Sequence, residues 1–201
     1  FNGTVRLIFQ PAEEIMAGAP AMIKDGLFER WPVDAVFGLH NMPGLELGKL
    51  HFRDGEMMAA VDNWELELTG KGSHGSMPEL SIDPVVAGAS LVMALQTIVS
   101  RNVSPHNSVV VTIGAFIAGN AGNVIAQSTI LRLSIRTTTP EDRALVLGKV
   151  RSIAKAQAES FGCTCAIREG VPGAVLVYDP DETGKAAAIA REAFGDPAVV
   201  Y

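Results

Sequence analysis

The chain has 201 residues, of which 48% are hydrophobic and 19% charged, and its net charge is −6. This composition excludes a disordered chain, and the length is enough for one large domain or two small ones with buried cores. The acidic balance is spread along the chain without a Lys/Arg-rich block, which excludes nucleic acid as a partner. The most apolar segment, 85–99, is shorter than the roughly 20 residues of a membrane span and predicts a buried helix, with no membrane partner.

The first sixty residues predict part of an α/β domain. Residues 4–9 (TVRLIF) form an apolar, β-rich run that the following Gln-Pro pair must end, because proline cannot donate to a strand ladder. Apolar positions in 17–28 have helical spacing, and 34–39 (DAVFGL) predicts a second buried strand. Because the sequence starts at Phe1 on such a run, we expect it to begin inside a domain.

Residues 61–175 predict a second domain of a different kind. Residues 63–69 (NWELELT) alternate polar and apolar side chains, as a half-exposed antiparallel strand does. The order β-α-β-β-α-β predicts a ferredoxin-like arrangement, with a four-stranded antiparallel sheet and two helices on one face. Residues 176–201, with a helix over 182–194, would return to the first domain. The elements predicted for the second domain are strands 63–69, 108–116, 128–136 and 163–169, and helices 84–101 and 140–161.

The only two cysteines, Cys163 and Cys165, alternate in the last predicted strand and so share one face of it. Two buried thiols are favoured over a redox or metal-binding pair, because the spacing is not that of a zinc site. Free thiols are typical of a reducing compartment, so a cytoplasmic location is expected.

Three residues of the first domain are candidates for metal chemistry. Adjacent carboxylates are usually solvated surface, but Glu13 and Glu14 follow a predicted buried strand, and His40 ends the next one. All three would then lie at the carboxyl edge of a parallel sheet, where such sheets bind ligands. One carboxylate could bind a metal while the other acts as general base. One Glu and one His are too few ligands for zinc, and a purely structural role for His40 stays equally open.

Three further candidates lie in the second domain. His74 sits in the glycine-flanked loop 70–81, where an ordinary exposed histidine and a hydrogen-bond donor to an oxyanion are both possible. Asn123 lies in a loop and Arg136 in the strand that follows; an arginine can bind a carboxylate through two hydrogen bonds. His51 and His106 are taken as structural.

Four motifs, QPAEE (10–14), GLHNMP (38–43), GKGSHGSMP (70–78) and GNAGNVIA (119–126), together resemble the M20 metallopeptidase family. The similarity is to its amidohydrolase branch, which contains hippurate hydrolases, N-acyl amino acid deacylases and auxin-conjugate hydrolases. It extends over nearly the whole chain. The resemblance implies an α/β catalytic domain over 1–60 and 176–201, with an inserted ferredoxin-like lid and dimerisation domain over 61–175.

The same resemblance implies roles for the candidate residues. Glu13 would be the general base that activates water, with Glu14 and His40 as ligands of two divalent metal ions (Zn, Mn, Ni or Co). His74 would reach from the lid into the partner subunit's site to stabilise the oxyanion. Asn123 and Arg136 would hold an N-acyl amino acid such as hippurate, with Arg136 on its carboxylate. The enzyme would be a homodimer.

The sequence also departs from the family pattern. The upstream Cys or Asp and His ligands would precede Phe1, and the family's last histidine ligand is absent, so the chain is expected to hold an incomplete site that binds metal weakly or not at all. The motif NVIA replaces the common NVIP. Two alternatives stay open: a dipeptidase or desuccinylase of the same family, and a non-catalytic ferredoxin-like dimerisation or ligand-binding module.

Overall fold

The structure is a computed structural model that describes residues 2–201, and it is of the mixed α/β type. The helices are α1 Gly18–Lys24, α2 Leu27–Arg30, α3 Pro84–Asn102, α4 Pro140–Ser160 and α5 Pro180–Phe194. The strands are β1 Leu50–His51, β2 Gly55–Met58, β3 Ala60–Thr69, β4 Ser73–His74, β5 Val109–Ala118, β6 Val124–Ile125, β7 Ser128–Thr137, β8 Thr164–Glu169, β9 Leu176–Tyr178 and β10 Val199–Val200.

The described residues form two compact units. The first consists of residues 2–57 with Val177–Tyr201, and the second of Met58–Leu176. Strands β2 and β9 pair with each other.

A four-stranded antiparallel sheet is the centre of the second unit. Its strand order is β5-β7-β3-β8, and the element order β3-α3-β5-β7-α4-β8 agrees with the predicted β-α-β-β-α-β. Ten consecutive residue pairs join β3 to β7, from Ala60↔Thr137 to Thr69↔Ser128. Beside the sheet, the short strands β4 and β6 form a separate antiparallel pair.

The core lies between one face of this sheet and the helices α3 and α4. Alternate residues of β3 and β7 point into it, because side chains alternate between the two faces of a strand. Each fully buried leucine contributes roughly 1.5–3 kcal/mol. The fully or almost fully buried members include Trp64, Leu66, Leu68, Leu91, Leu95, Ile98, Leu131, Ile135, Val146 and Val150.

The helix starts follow from local sequence. Asp83 accepts hydrogen bonds from Val85 N (2.8 Å) and Val86 N (3.4 Å), and Pro84 fills the first helical position of α3. Thr139 caps α4 in the same way through Asp142 N (3.1 Å).

Helix α3 is long and apolar enough to cross a membrane by length and composition, but one of its faces packs in the core. The helix predicted over 85–99 forms, but it is only partly buried, because residues on its other face, such as Val86 and Met93, are exposed.

The prediction of two strands in the first unit is wrong. Residues 4–9 and 34–39 have no strand partner among residues 2–201, and their apolar side chains are exposed; Phe9 and Leu39, for example, are 83% and 89% exposed. A parallel strand depends on neighbours for its backbone hydrogen bonds, and neither segment has one here. The single helix predicted over 17–28 is also wrong: Gly26, with φ of +83°, separates α1 from α2.

The cysteines lie where the sequence predicts. Cys163 is buried in the core, and Cys165 on β8 packs against that core while partly exposed. Burial raises the pKa of both thiols. Both cysteines are free, which agrees with the prediction of unbridged thiols.

A buried ion pair fixes the start of α4 on the sheet. Asp62 of β3 is 2% exposed and accepts two hydrogen bonds from Arg143, at 2.7 Å from Nε and 2.6 Å from Nη2. These bonds raise the pKa of Arg143. By contrast, the pairs of Glu65 with Arg132 and Arg168 lie on the outer face of the sheet, opposite the helices.

We expect Arg143→Ala to lower the free energy of unfolding of the second unit by about 2–3 kcal/mol. Removing one partner of a fully buried pair costs about 3–5 kcal/mol, and Arg143 is 35% exposed, which reduces the effect. The measurement is urea unfolding followed by Trp64 fluorescence in a Trp31→Phe background. Arg132→Ala is the control and should change the midpoint much less. Equal losses for the two variants would contradict the assignment.

Candidate functional site

The adjacent carboxylates Glu13 and Glu14 lie on a strained turn. Both are exposed, and the residues on either side, Ala12 and Met16, have φ of +51° and +55°. Non-glycine residues rarely adopt this left-handed conformation, and such strain clusters at functional sites. Two backbone hydrogen bonds close the turn, from Met16 N to Glu13 O (2.8 Å) and from Ala17 N to Ala12 O (3.2 Å).

A glycine next to this turn lets the chain pack closely. A Cβ atom on Gly18 would lie 1.6 Å from the carbonyl oxygen of Pro11, so no larger residue fits without a shift of the backbone. Gly18 is buried and begins α1. The chain next to the turn that carries Glu13 and Glu14 therefore packs directly against Gly18, the first residue of α1.

The ring of His40 contacts the backbone carbonyl of the next residue. Its Nδ1 lies 2.5 Å from the carbonyl oxygen of Asn41. A carbonyl oxygen only accepts, so Nδ1 carries the proton in the neutral ring and Nε2 has a free lone pair. Metal-ligating histidines commonly donate their other ring N–H to such a carbonyl.

The donor types of Glu14 and His40 fit a divalent metal ion, but they are only part of a donor set. Among residues 2–201 there is no group of three or more His, Cys, Asp or Glu side chains that could hold a metal ion. Zinc sites in enzymes use three or more protein ligands. The sequence predicts that Glu13, Glu14 and His40 lie together at the edge of a parallel sheet. This edge does not form, because residues 4–9 and 34–39 do not form strands.

His74 and Asn123 come together in the second unit. His74 pairs with Val124 in the short sheet of β4 and β6, and Gly75 N donates to the carbonyl oxygen of Asn123 at 2.7 Å. A Cβ atom on Gly75 would lie 3.0 Å from the carbonyl carbon and oxygen of Asn123, a tighter contact than most side chains make. The glycine-rich loop 70–78 is thus docked onto the loop that carries Asn123.

The loop containing Asn123 also borders an open hollow of about 520 Å³. The hollow lies between residues 118–126 and the start of α3, at Asp83 and Val85. Val124 contributes to its wall and pairs with His74. This hollow is therefore next to the strand pair that positions His74.

Arg136 lies at the other end of the sheet. It pairs with Val61 near the start of β3, whereas the loop that carries His74 leaves the opposite end of β3, at the pair Thr69↔Ser128. Arg136 lies eight residue steps after Ser128 on β7, which is about 27 Å of extended strand. Within one chain, Arg136 and the start of the loop that carries His74 therefore lie at opposite ends of the sheet.

Arg136 also differs from its neighbours on the outer face of the sheet. Arg132 donates to Glu65 at 3.0 Å, and Arg168 pairs with Glu65 and Glu67. The hydrogen bond from Arg132 lowers the pKa of Glu65, with Arg168 adding to the effect. Arg136 is exposed, and no carboxylate in the described part of the chain forms a salt bridge with it. Its guanidinium is available for an external anion.

Sequence reasoning missed Ser76. Its hydroxyl oxygen lies 2.8 Å from Nδ1 of His74, and its backbone N–H donates to the same atom at 3.2 Å. The available signal was a hydroxyl residue two positions after a histidine in a glycine-flanked loop, a spacing at which such local contacts form.

The sequence matches Peptidase family M20/M25/M40 over residues 1–200. The chain belongs to this family of peptidases. It is 44% identical over 196 residues to the hippurate hydrolase of Campylobacter jejuni, covering 98% of this chain and 51% of that protein. It is 38% identical to an N-acetyl-L-cysteine deacetylase of Bacillus subtilis, covering 83% of this chain and 40% of that one.

Two solved structures resemble the chain in fold and sequence. A protein from methicillin-resistant Staphylococcus aureus, provisionally assigned as an aminohydrolase, has a TM-score of 0.81 and 35% identity, covering 92% of this chain and 49% of that one. A dinuclear metal-binding M20 peptidase from Bacillus subtilis has a TM-score of 0.70 and 29% identity, covering 96% and 47%. The chain spans about half the length of the relatives it matches.

We expect Gly75→Ala to separate the loop of His74 from Asn123. The added methyl group would need more room than the 3.0 Å contact allows, and overpacking of this kind costs about 1–3 kcal/mol. Amide chemical shifts of Gly75 and Val124 should change, and the Gly75 amide should exchange faster with solvent. Gly122→Ala is the matched control, because a Cβ there meets nothing within 4 Å. Unchanged Val124 shifts in Gly75→Ala would show that the contact is not tight.

Proposed function

We propose that this chain is part of a metal-dependent amidohydrolase that cleaves the amide bond of N-acyl amino acids such as hippurate. The observation that carries the proposal is the strained turn that presents Glu13 and Glu14, in a chain whose family includes hippurate hydrolase and N-acyl deacetylases. The cytoplasm is the proposed location. The further metal ligands would come from parts of the enzyme that correspond to the other half of its relatives.

Glu14 and His40 would be ligands of a divalent metal pair, and Glu13 would be the general base. When bound, the metal would polarise the scissile carbonyl and make a water molecule more acidic. Glu13 would take the proton from the attacking water and pass it to the leaving amine nitrogen. This division of roles needs two carboxylates held side by side, and the closed turn at Ala12–Ala17 supports it.

We assign residues 1–60 and 176–201 to the catalytic domain and 61–175 to a ferredoxin-like lid. The sheet order and the two helices of the second unit support the second assignment. His74 would donate a hydrogen bond to the oxyanion, Asn123 would contact the substrate, and Arg136 would bind the substrate's carboxylate. The absence of an acidic partner for Arg136 among the described residues supports its role.

We propose a homodimer formed through the lid. β5 is an edge strand of the sheet, and exposed sheet edges invite pairing with a second chain. Both β5 and α3 carry exposed apolar side chains, and the two elements meet where Phe116 lies close to Gly88. These exposed residues are Val86, Met93, Val110, Phe116 and Ile117.

The separation of His74 from Arg136 supports a shared site in such a dimer. The separation of about 27 Å between Ser128 and Arg136 along β7 favours a site in which His74 and Arg136 come from different subunits. We propose that Arg136 serves its own subunit and that His74, with Asn123, serves the partner's.

The alternatives differ in substrate or in class. A family dipeptidase or desuccinylase would use the same metal chemistry on another acyl group. A non-catalytic dimerisation or ligand-binding module would need neither Glu13 nor Glu14. The strain stored at their turn favours the enzyme.

The first test compares Glu13→Gln with Glu14→Gln in the full-length protein. Glu13→Gln should keep its metal content and lower kcat for hippurate by about 10²–10⁴-fold, with a smaller effect on KM, because a general base is lost. Glu14→Gln should lose metal, as measured by elemental analysis after dialysis. The reverse pattern would exchange the two roles, and full activity of both variants would refute the proposal.

The second test concerns recognition of the carboxylate. Arg136→Ala should raise KM for hippurate by about 10-fold or more and leave KM for its amidated analogue nearly unchanged, because the lost hydrogen bonds are charge-assisted. Arg132→Ala is the control on the same strand, since Arg132 is already paired with Glu65. An equal rise in KM for both substrates would contradict the role.

The third test asks which subunit supplies each residue. In mixed dimers of Glu13→Gln and His74→Ala, one site per heterodimer would have both native residues if His74 acts across the interface. Random mixing should then restore about a quarter of native activity, since half of the dimers are mixed. Arg136→Ala mixed with His74→Ala should also recover, whereas Arg136→Ala mixed with Glu13→Gln should not. No recovery in the first mixture would mean that His74 serves its own subunit.

A further inference from the structure

The ring of His74 has two contacts at the same nitrogen. Nδ1 lies 3.2 Å from the backbone N of Ser76, which donates to it, and 2.8 Å from the Ser76 hydroxyl oxygen. Both donors of Ser76, the backbone N–H and the hydroxyl, are directed at Nδ1, and together they stabilise the neutral ring in which Nδ1 is unprotonated. The ring proton is therefore on Nε2, and the Nε2–H points away from Ser76 and remains available to donate.

The segment that makes these contacts is fixed on both sides. His74 is paired with Val124, and Gly75 N donates to Asn123 O at 2.7 Å. After Ser76, Met77 N donates to His74 O at 2.9 Å, and the Ser73 hydroxyl lies 3.0 Å from Met77 O. Ser76 thus stands within a closed turn, and its two donors have a defined direction relative to the ring.

We propose that Ser76 is a positioning residue that holds His74 in the Nε2–H tautomer. This inference rests on the proposed function, in which His74 donates to the oxygen of the scissile carbonyl. An imidazole of the other tautomer would present a lone pair to that oxygen and would repel the developing negative charge. The hydroxyl of Ser76 adds a second donor at Nδ1 and limits rotation of the ring.

A purely structural role for Ser76 predicts different results. A serine that only closed the turn would affect stability and would leave the tautomer and kcat unchanged in a folded variant. The two roles are separated by Ser76→Ala, which removes the hydroxyl, and Ser76→Thr, which keeps it. Circular dichroism and unfolding midpoints establish that the variants are folded.

The first measurement is imidazole ¹⁵N NMR of the 201-residue chain at a pH where histidine is neutral. We expect His74 of the native chain to be in the Nε2–H form. In Ser76→Ala the fraction of His74 in the Nδ1–H form should rise at least severalfold. In Ser76→Thr this fraction should return to the native value. His106, an exposed histidine of the same unit, is the internal reference and should not change. A native Nδ1–H form, or an unchanged tautomer ratio in Ser76→Ala, would overturn the inference.

The second measurement is hydrolysis of hippurate by the full-length protein. Ser76→Ala should lower kcat about 10-fold with KM nearly unchanged, and Ser76→Thr should restore most of it. A loss that threonine does not restore, or an unchanged kcat, overturns the positioning role.

His74→Ala separates this inference from the proposed function. If His74→Ala loses activity while Ser76→Ala keeps native kcat and tautomer, only the inference fails. If His74→Ala keeps full activity, the proposed role of His74 fails and the inference fails with it.

Discussion

The ladder between β3 and β7 is the constraint on which the second unit depends. Because its ten pairs are in unbroken register, the side chains of each strand are divided between a core face and an outer face along the whole length. Leu66, Leu131 and Ile135 pack against α3 and α4 on one side, and Glu65, Arg132 and Arg136 lie on the other. A slip of one residue would exchange these faces. The same register sets the distance between Arg136 at one end of the sheet and the loop of His74 at the other.

That distance connects packing to function. In the proposed function, Arg136 would bind the substrate's carboxylate and His74 the oxyanion from opposite ends of one sheet, which favours a site shared by two subunits. In the proposed dimer, the exposed apolar residues of β5 and α3 would contribute to the contact between subunits. The close approach of Gly75 to Asn123 also holds the backbone after His74 next to the loop that carries Asn123.

The two units differ in how far apart along the chain their interacting segments lie. In the second unit, strands and helices find their partners within about 120 consecutive residues, and caps such as Asp83 and Thr139 define where the helices begin. In the first unit, residues 4–9 and 34–39 have the composition of buried parallel strands and yet leave Leu7, Phe9 and Leu39 exposed. Parallel strands are joined by crossover connections and pair with strands that are distant along the chain. An apolar sequence pattern alone is therefore not enough for such a segment to join a sheet.

The sequence by itself determined the element order and most element boundaries of the second unit, because alternation, helical spacing and proline-containing caps are local signals. It also determined the family motifs and, through them, the candidates Glu13, Glu14, His40, His74, Asn123 and Arg136. Only the tertiary structure decided which of these residues meet: His74 with Asn123, and Arg136 apart from both. The strain at Ala12 and Met16 and the contact of Ser76 with Nδ1 of His74 also depend on backbone angles and distances. Residue types specify which contacts are chemically possible, and the register of paired strands decides which of them are made.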